Sequence, residues 1–165
     1  MRRYLKGICL FVCASVLFFG VCFAQDIAQD FSLTDTQSRV VTLSSFKGKK
    51  SVLLFFWTTW CPYCVQQLKS LNTTYAKMSA EGIQVLPINV GESSEKVVKF
   101  LARNKVSFAS LLDENGKIAD MYALIGVPTY GLVDNQGNLV FFGNNFPQEE
   151  YKALLRKEAK PVTSI

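Results

Sequence analysis

Two cysteines at C-x-x-C spacing, Cys61 and Cys64, are the residues of this 165-residue chain best suited to chemistry. They sit in the run Trp60-Cys61-Pro62-Tyr63-Cys64. A pair at this spacing can open and close a disulfide: the first sulfur attacks, and the second resolves the mixed disulfide. The chain has no histidine. That excludes an imidazole base, a Cys-His or Ser-His dyad, a C-x-x-C-H haem attachment and any zinc site with a histidine ligand. A structural zinc site would need two more ligands, and the other three cysteines (Cys9, Cys13 and Cys22) all lie near the N-terminus. A purely structural disulfide is the remaining alternative, but so short a loop removes little chain entropy and stabilises only modestly.

The elements around the pair must make one sulfur reactive. Ser51 to Trp57 (SVLLFFW) is a continuous apolar run, as expected of a strand buried on both faces in a parallel sheet. Pro62 then falls where the first turn of a helix tolerates proline. Val65, Leu68, Leu71, Tyr75 and Met78 recur at helical spacing until Gly82. Cys61 is therefore expected at a helix N-terminus, where unpaired N–H groups and the positive end of the dipole favour thiolate over thiol.

The rest of the chain alternates. Phe31 to Leu33 and Arg39 to Thr42 read as a hairpin, and Ile83 to Val90 as a strand. A helix capped by Ser93 or Ser94 is expected to end near Asn104. A strand over Val106 to Leu112 and a short helix over Lys117 to Leu124 follow. Thr129 to Val133 and Asn138 to Phe142, joined by Asp134-Asn135-Gln136-Gly137, predict a second hairpin. A last helix opens after Pro147, with Glu149 and Glu150 early and Arg156 and Lys157 late, as its dipole prefers. Together these predict one α/β domain over residues 25–165.

Residues 1–24 read as an address. Arg2, Arg3 and Lys6 precede an apolar run from Ile8 to Ala24, the pattern of a secretory signal. An uncleaved anchor through residues 8–24 is the alternative, although the run is shorter than the ~20 residues that span a bilayer comfortably. Lipidation at Cys22 is disfavoured by Val21 before it. The leader carries three basic residues and no acidic one, so it supplies most of the net charge of +5. No clustered basic surface is left to suggest nucleic acid. The expected location is outside the cytoplasm, in the periplasm or on the outer face of the cytoplasmic membrane, where disulfides persist.

The active-site run resembles that of the thioredoxin superfamily. Phe31-Ser32-Leu33 through Leu43-Ser44-Ser45-Phe46-Lys47-Gly48-Lys49 resembles the N-terminal extension of the TlpA/ResA-like redoxins. Asn89-Val90-Gly91-Glu92-Ser93 resembles their central insertion, and Gly126-Val127-Pro128-Thr129-Tyr130 their cis-proline loop. The resemblance implies a three-layer thioredoxin-like fold with a central mixed sheet. It implies an exported thiol–disulfide oxidoreductase, with Cys61 as nucleophile and Cys64 as resolving residue. Trp60, Pro62, Tyr63, Val127 and Pro128 would meet substrate, Pro128 being cis and the Val127 backbone open to an extended segment. From sequence alone Pro128 could equally be trans, and Trp60 and Tyr63 could be ordinary packing residues. The partners implied are protein thiols and disulfides, with a membrane thiol carrier as electron donor. No cofactor beyond the Cys61–Cys64 disulfide, and a monomer, are expected.

Two positions depart from the pattern. Thioredoxins commonly bury an aspartate where Phe55 stands, and TlpA/ResA-like proteins commonly carry a glutamate where Gln67 stands. Neither replacement can titrate. Water or the departing thiolate would then have to deprotonate Cys64. Two other functions compete. Thr58-Thr59-Trp60-Cys61 spells the Thr-x-x-Cys of peroxiredoxin-like thiol peroxidases, although Leu54 stands where a proline is expected. A Cu(I)-binding or interaction module could use the two thiolates alone.

Overall fold

A computed structural model describes residues 26–158. The leader expected over residues 1–24 lies outside that range. In chain order the elements are β1 (Ser32–Thr34), β2 (Val40–Thr42), a 3-10 turn (Leu43–Phe46), β3 (Ser51–Trp57), α1 (Pro62–Ala80), β4 (Ile83–Val90) and α2 (Ser94–Arg103). They continue as β5 (Leu111–Asp113), α3 (Lys117–Met121), β6 (Thr129–Val133), β7 (Leu139–Gly143) and α4 (Gln148–Glu158).

Five strands form a mixed sheet in the order β5-β4-β3-β6-β7. β3 lies at its centre, parallel to β4 in register from Ser51↔Ile83 to Trp57↔Asn89. On its other edge it is antiparallel to β6, from Val52↔Val133 to Phe56↔Thr129. Every residue of β3 is buried, as its unbroken apolar run requires. The pleat sends alternate side chains to opposite faces. Leu53, Phe55 and Trp57 enter a core with α1, α2 and α4, while Val52, Leu54 and Phe56 enter one with the 3-10 turn and α3. Helical elements thus cover both faces, giving the three-layer thioredoxin-like architecture.

The smaller sheet pairs β1 with β2. Its turn is organised by Asp35, whose carboxylate accepts from the backbone of Gln37 and Arg39 and pairs with the Arg39 guanidinium at 2.7 Å. Asp134 performs the same turn-closing role between β6 and β7, accepting from the N–H groups of Gln136 and Asn138.

The strand expected over Val106 to Leu112 is confined to Leu111–Asp113. The preceding backbone is used elsewhere. Val106 N–H bonds to Leu101 O at the end of α2, Ser107 N–H to the Asn72 side chain, and Ser110 N–H to Thr36. The short helix ends at Met121 because Ala123 turns left-handed at φ 49°. Ser93 does precede α2, but its side chain makes no capping bond; the Glu114 carboxylate accepts from Ser94 N–H instead.

Candidate active site

β3 ends at Trp57 and α1 begins at Pro62, so the intervening residues deliver Cys61 to the helix entrance. Cys61 is the N-cap of α1, with Pro62 behind it in the first turn. Its Sγ accepts from Cys64 N–H at 3.1 Å. A sulfur in this place collects an N–H bond and the positive end of a 19-residue helix. The two cysteines are joined by a disulfide, their Cα atoms 5.2 Å apart. Cys64 is sealed in the core below, while Cys61 keeps 5% of its surface open. Of the two sulfurs, only Cys61 can be reached from outside.

The structure brings the other sequence-predicted residues to the same place. The Val127–Pro128 bond is cis. The Val127 carbonyl oxygen lies 3.7 Å from Cys61 Sγ, so this loop abuts the disulfide. Trp60 and Tyr63 are 69% and 73% exposed, which removes the packing alternative for both. Pro62, also exposed, opens α1 between the two cysteines in the chain.

Phe55 fills its strand position completely and stacks on Tyr130, ring centroids 5.1 Å apart. Tyr130 is buried with its hydroxyl unpartnered, and burial pushes that hydroxyl's pKa upward. Gln67 is half-buried on α1. With Tyr63, Pro128, Tyr130 and Asn144 it lines a cavity of about 280 Å³ beside the proline loop. No carboxylate borders this cavity. Among the described residues, no group of three or more potential metal ligands occurs.

Sequence reasoning missed three participants. Ile125 is fully exposed two residues before Val127, whose carbonyl oxygen meets Cys61 Sγ. Asn144, just past β7, donates to Pro128 O at 2.8 Å and Thr129 Oγ1 at 3.0 Å, fastening the proline loop to the neighbouring strand. Glu92 is the third. It is 6% exposed, and its carboxylate accepts from Thr59 N–H, Thr59 Oγ1, Asn89 Nδ2 and Lys96 Nζ. Burial raises the pKa of this carboxyl, but the bonds from Lys96, Thr59 and Asn89 outweigh that and hold it below the usual glutamate range. Its i,i+4 spacing to Lys96 was visible in the sequence; its bond to a loop 33 residues away was not.

Comparison with known proteins agrees with this geometry. The AhpC/TSA family matches residues 24–142. The thiol-disulfide oxidoreductase ResA of Bacillus thuringiensis subsp. konkukian is 29% identical over 136 residues, covering 82% of this chain and 76% of that protein. ResA of Bacillus subtilis is 34% identical over 113 residues, covering 68% of this chain and 63% of that protein. The crystal structure of a putative thiol:disulfide interchange protein DsbE from Chlorobium tepidum superposes with a TM-score of 0.68 at 32% identity, covering 81% of this chain and 94% of that one.

Proposed function

Because the chain belongs to the AhpC/TSA family and is a thiol–disulfide oxidoreductase of the ResA/DsbE type, we propose that it is an extracytoplasmic reductase of protein disulfides. The single observation that carries the reading is the pairing of one reachable sulfur with one buried sulfur at the entrance of α1.

In the dithiol form, the Cys61 thiolate attacks one sulfur of a substrate disulfide. A bond forms between Cys61 Sγ and that sulfur, and the other substrate sulfur leaves as a thiolate. The Cys64 thiolate then attacks Cys61 Sγ, releasing the second substrate thiolate and closing the Cys61–Cys64 disulfide. The substrate gains two electrons and the enzyme loses them. The enzyme's two thiol protons end on the two substrate thiols. Throughout, Cys64 N–H stands ready to stabilise negative charge on Cys61 Sγ.

Trp60 and Tyr63, flanking Cys61 in the chain, and Ile125, two residues before Val127, are exposed apolar side chains, which suits an unfolded or extended polypeptide better than a small charged disulfide. The Arg2-Arg3-Lys6 leader supports a location outside the cytoplasm, where a membrane thiol carrier would restore the dithiol. Apocytochrome cysteines are substrates of the right kind. The pair works with no further cofactor.

Thiol peroxidase is the second reading, favoured by Thr58-Thr59-Trp60-Cys61. Against it, Thr58 Oγ1 is buried just past β3, and Leu54 stands where that motif expects a proline. Reduced protein should therefore reduce a protein disulfide with dithiothreitol as electron source, and consume hydrogen peroxide no faster than a free thiol. Stoichiometric peroxide consumption within seconds, without protein-disulfide reduction, would reverse the assignment.

A further inference from the structure

The segment Thr58-Thr59-Trp60 links β3 to α1 and belongs to neither. Its geometry fixes where Cys61 meets the helix entrance. Thr59 N–H finds its acceptor not in backbone but in Glu92 Oε2, at 2.7 Å, while Thr59 Oγ1 bonds to Glu92 Oε1 at 2.6 Å. Glu92 follows β4, the parallel neighbour of β3, and the last register pair of those strands is Trp57↔Asn89. Gly91, at φ 72°, turns the chain just beyond β4, and Asn89 Nδ2 bonds Glu92 Oε2 at 2.8 Å. The carboxylate thus spans the C-terminal ends of two parallel strands.

We propose that Glu92 is a positioning residue for the exchange reaction, a buried strut that holds Thr59 and thereby sets Cys61 against Cys64 N–H. The alternative makes Glu92, just before the N-cap Ser93, no more than an ion-pair partner of Lys96 at 2.6 Å. That pair needs only one oxygen and no burial. The geometry instead spends both oxygens on the catalytic loop, with Lys96 offsetting the charge. An anion so deeply enclosed is costly unless such bonds are made.

Thr59→Val tests the strut without changing any charge. It removes the hydroxyl donor and keeps the side chain's shape, whereas Thr59→Ser keeps the donor. The proposal rests on Cys61 being the attacking sulfur, so alkylation of reduced wild-type protein by iodoacetamide is first mapped by peptide mass spectrometry. Adduct at Cys61 secures that reading independently of the variants. The expected result is a Thr59→Val protein with the wild-type circular dichroism spectrum but a raised apparent pKa for Cys61 alkylation. Its disulfide-exchange rate at neutral pH should fall roughly tenfold, the loss of about one well-made bond to a charged group. Thr59→Ser should restore both. Adding Glu92→Gln to Thr59→Val should cost little more, since both break one strut. A folded Thr59→Val protein with wild-type alkylation profile and rate would overturn the proposal, as would effects that simply multiply. Should Glu92→Gln not fold, the Val and Ser variants decide alone.

Discussion

Phe55 and Tyr130 stack across the β3–β6 pair at 5.1 Å, in the same core cluster that encloses Cys61 and Cys64. Phe55 thus brings an aromatic ring to the strand position where the resemblance to thioredoxins would put a buried aspartate. Gln67 on α1 adds no titratable group. On the proposed mechanism, Cys64 would lose its proton to water or to the departing thiolate.

Gln67→Glu should supply the missing base. Stopped-flow oxidation of the dithiol by a disulfide substrate, followed across pH, should show the resolving step moved to lower pH. Near neutrality it should run severalfold faster, within the roughly 10²-fold contribution typical at the low end for a positioned base. An unchanged pH–rate profile would mean that resolution is not limited by Cys64 deprotonation.

Ile125 and Trp60 should serve docking more than chemistry. Ile125→Ser or Trp60→Ala is expected to raise KM for a protein disulfide about tenfold, as for a contact worth ~1.4 kcal/mol at an interface centre. The rate with a small disulfide should change by less than twofold. Equal losses on both substrates would place these side chains in the exchange step itself.

Acid should weaken the fold through three carboxylates. Asp30, Asp35 and Glu92 all lose ground to burial, but their hydrogen bonds reverse it and lower each pKa below its ordinary value of 3.8, 3.8 and 4.5 respectively. A lowered native pKa gives stability that is complete above the unfolded value and disappears as pH falls through the native one. The melting temperature should therefore hold steady down to about pH 5 and decline progressively below pH 4.5. Asp35→Asn should start lower and decline less steeply, having already lost the Arg39 pair. At the other extreme, burial and then the nearby Asp30 charge push Tyr122 up to about 12, so its contribution fades as pH rises above 10. Thermal melts across pH read both limbs.

The redox pair, its strand and its helix were legible in the sequence because local signals coincide there: an apolar run, C-x-x-C, a proline at the first turn. The mixed sheet and the proline loop followed from motif order and family resemblance. Glu92, Asn144 and Ile125 were not legible. Their roles depend on which strand ends and loops the topology brings together, and an acid after Gly91 or an asparagine after Gly143 carries no local mark of that. The region from Val106 to Ser110 misled for a related reason. Its residues suit a strand, but tertiary partners on α1, α2 and Thr36 claimed the backbone first.

The division of labour between the sulfurs is tested most directly by trapping. Reduced Cys64→Ser protein, mixed with a disulfide-bonded protein substrate and run on a non-reducing gel, should accumulate a mixed disulfide that peptide mass spectrometry maps to Cys61. Cys61→Ser protein should form none. Equal capture by both variants, or an adduct carried by Cys64 alone, would contradict the assignment of Cys61 as the attacking sulfur.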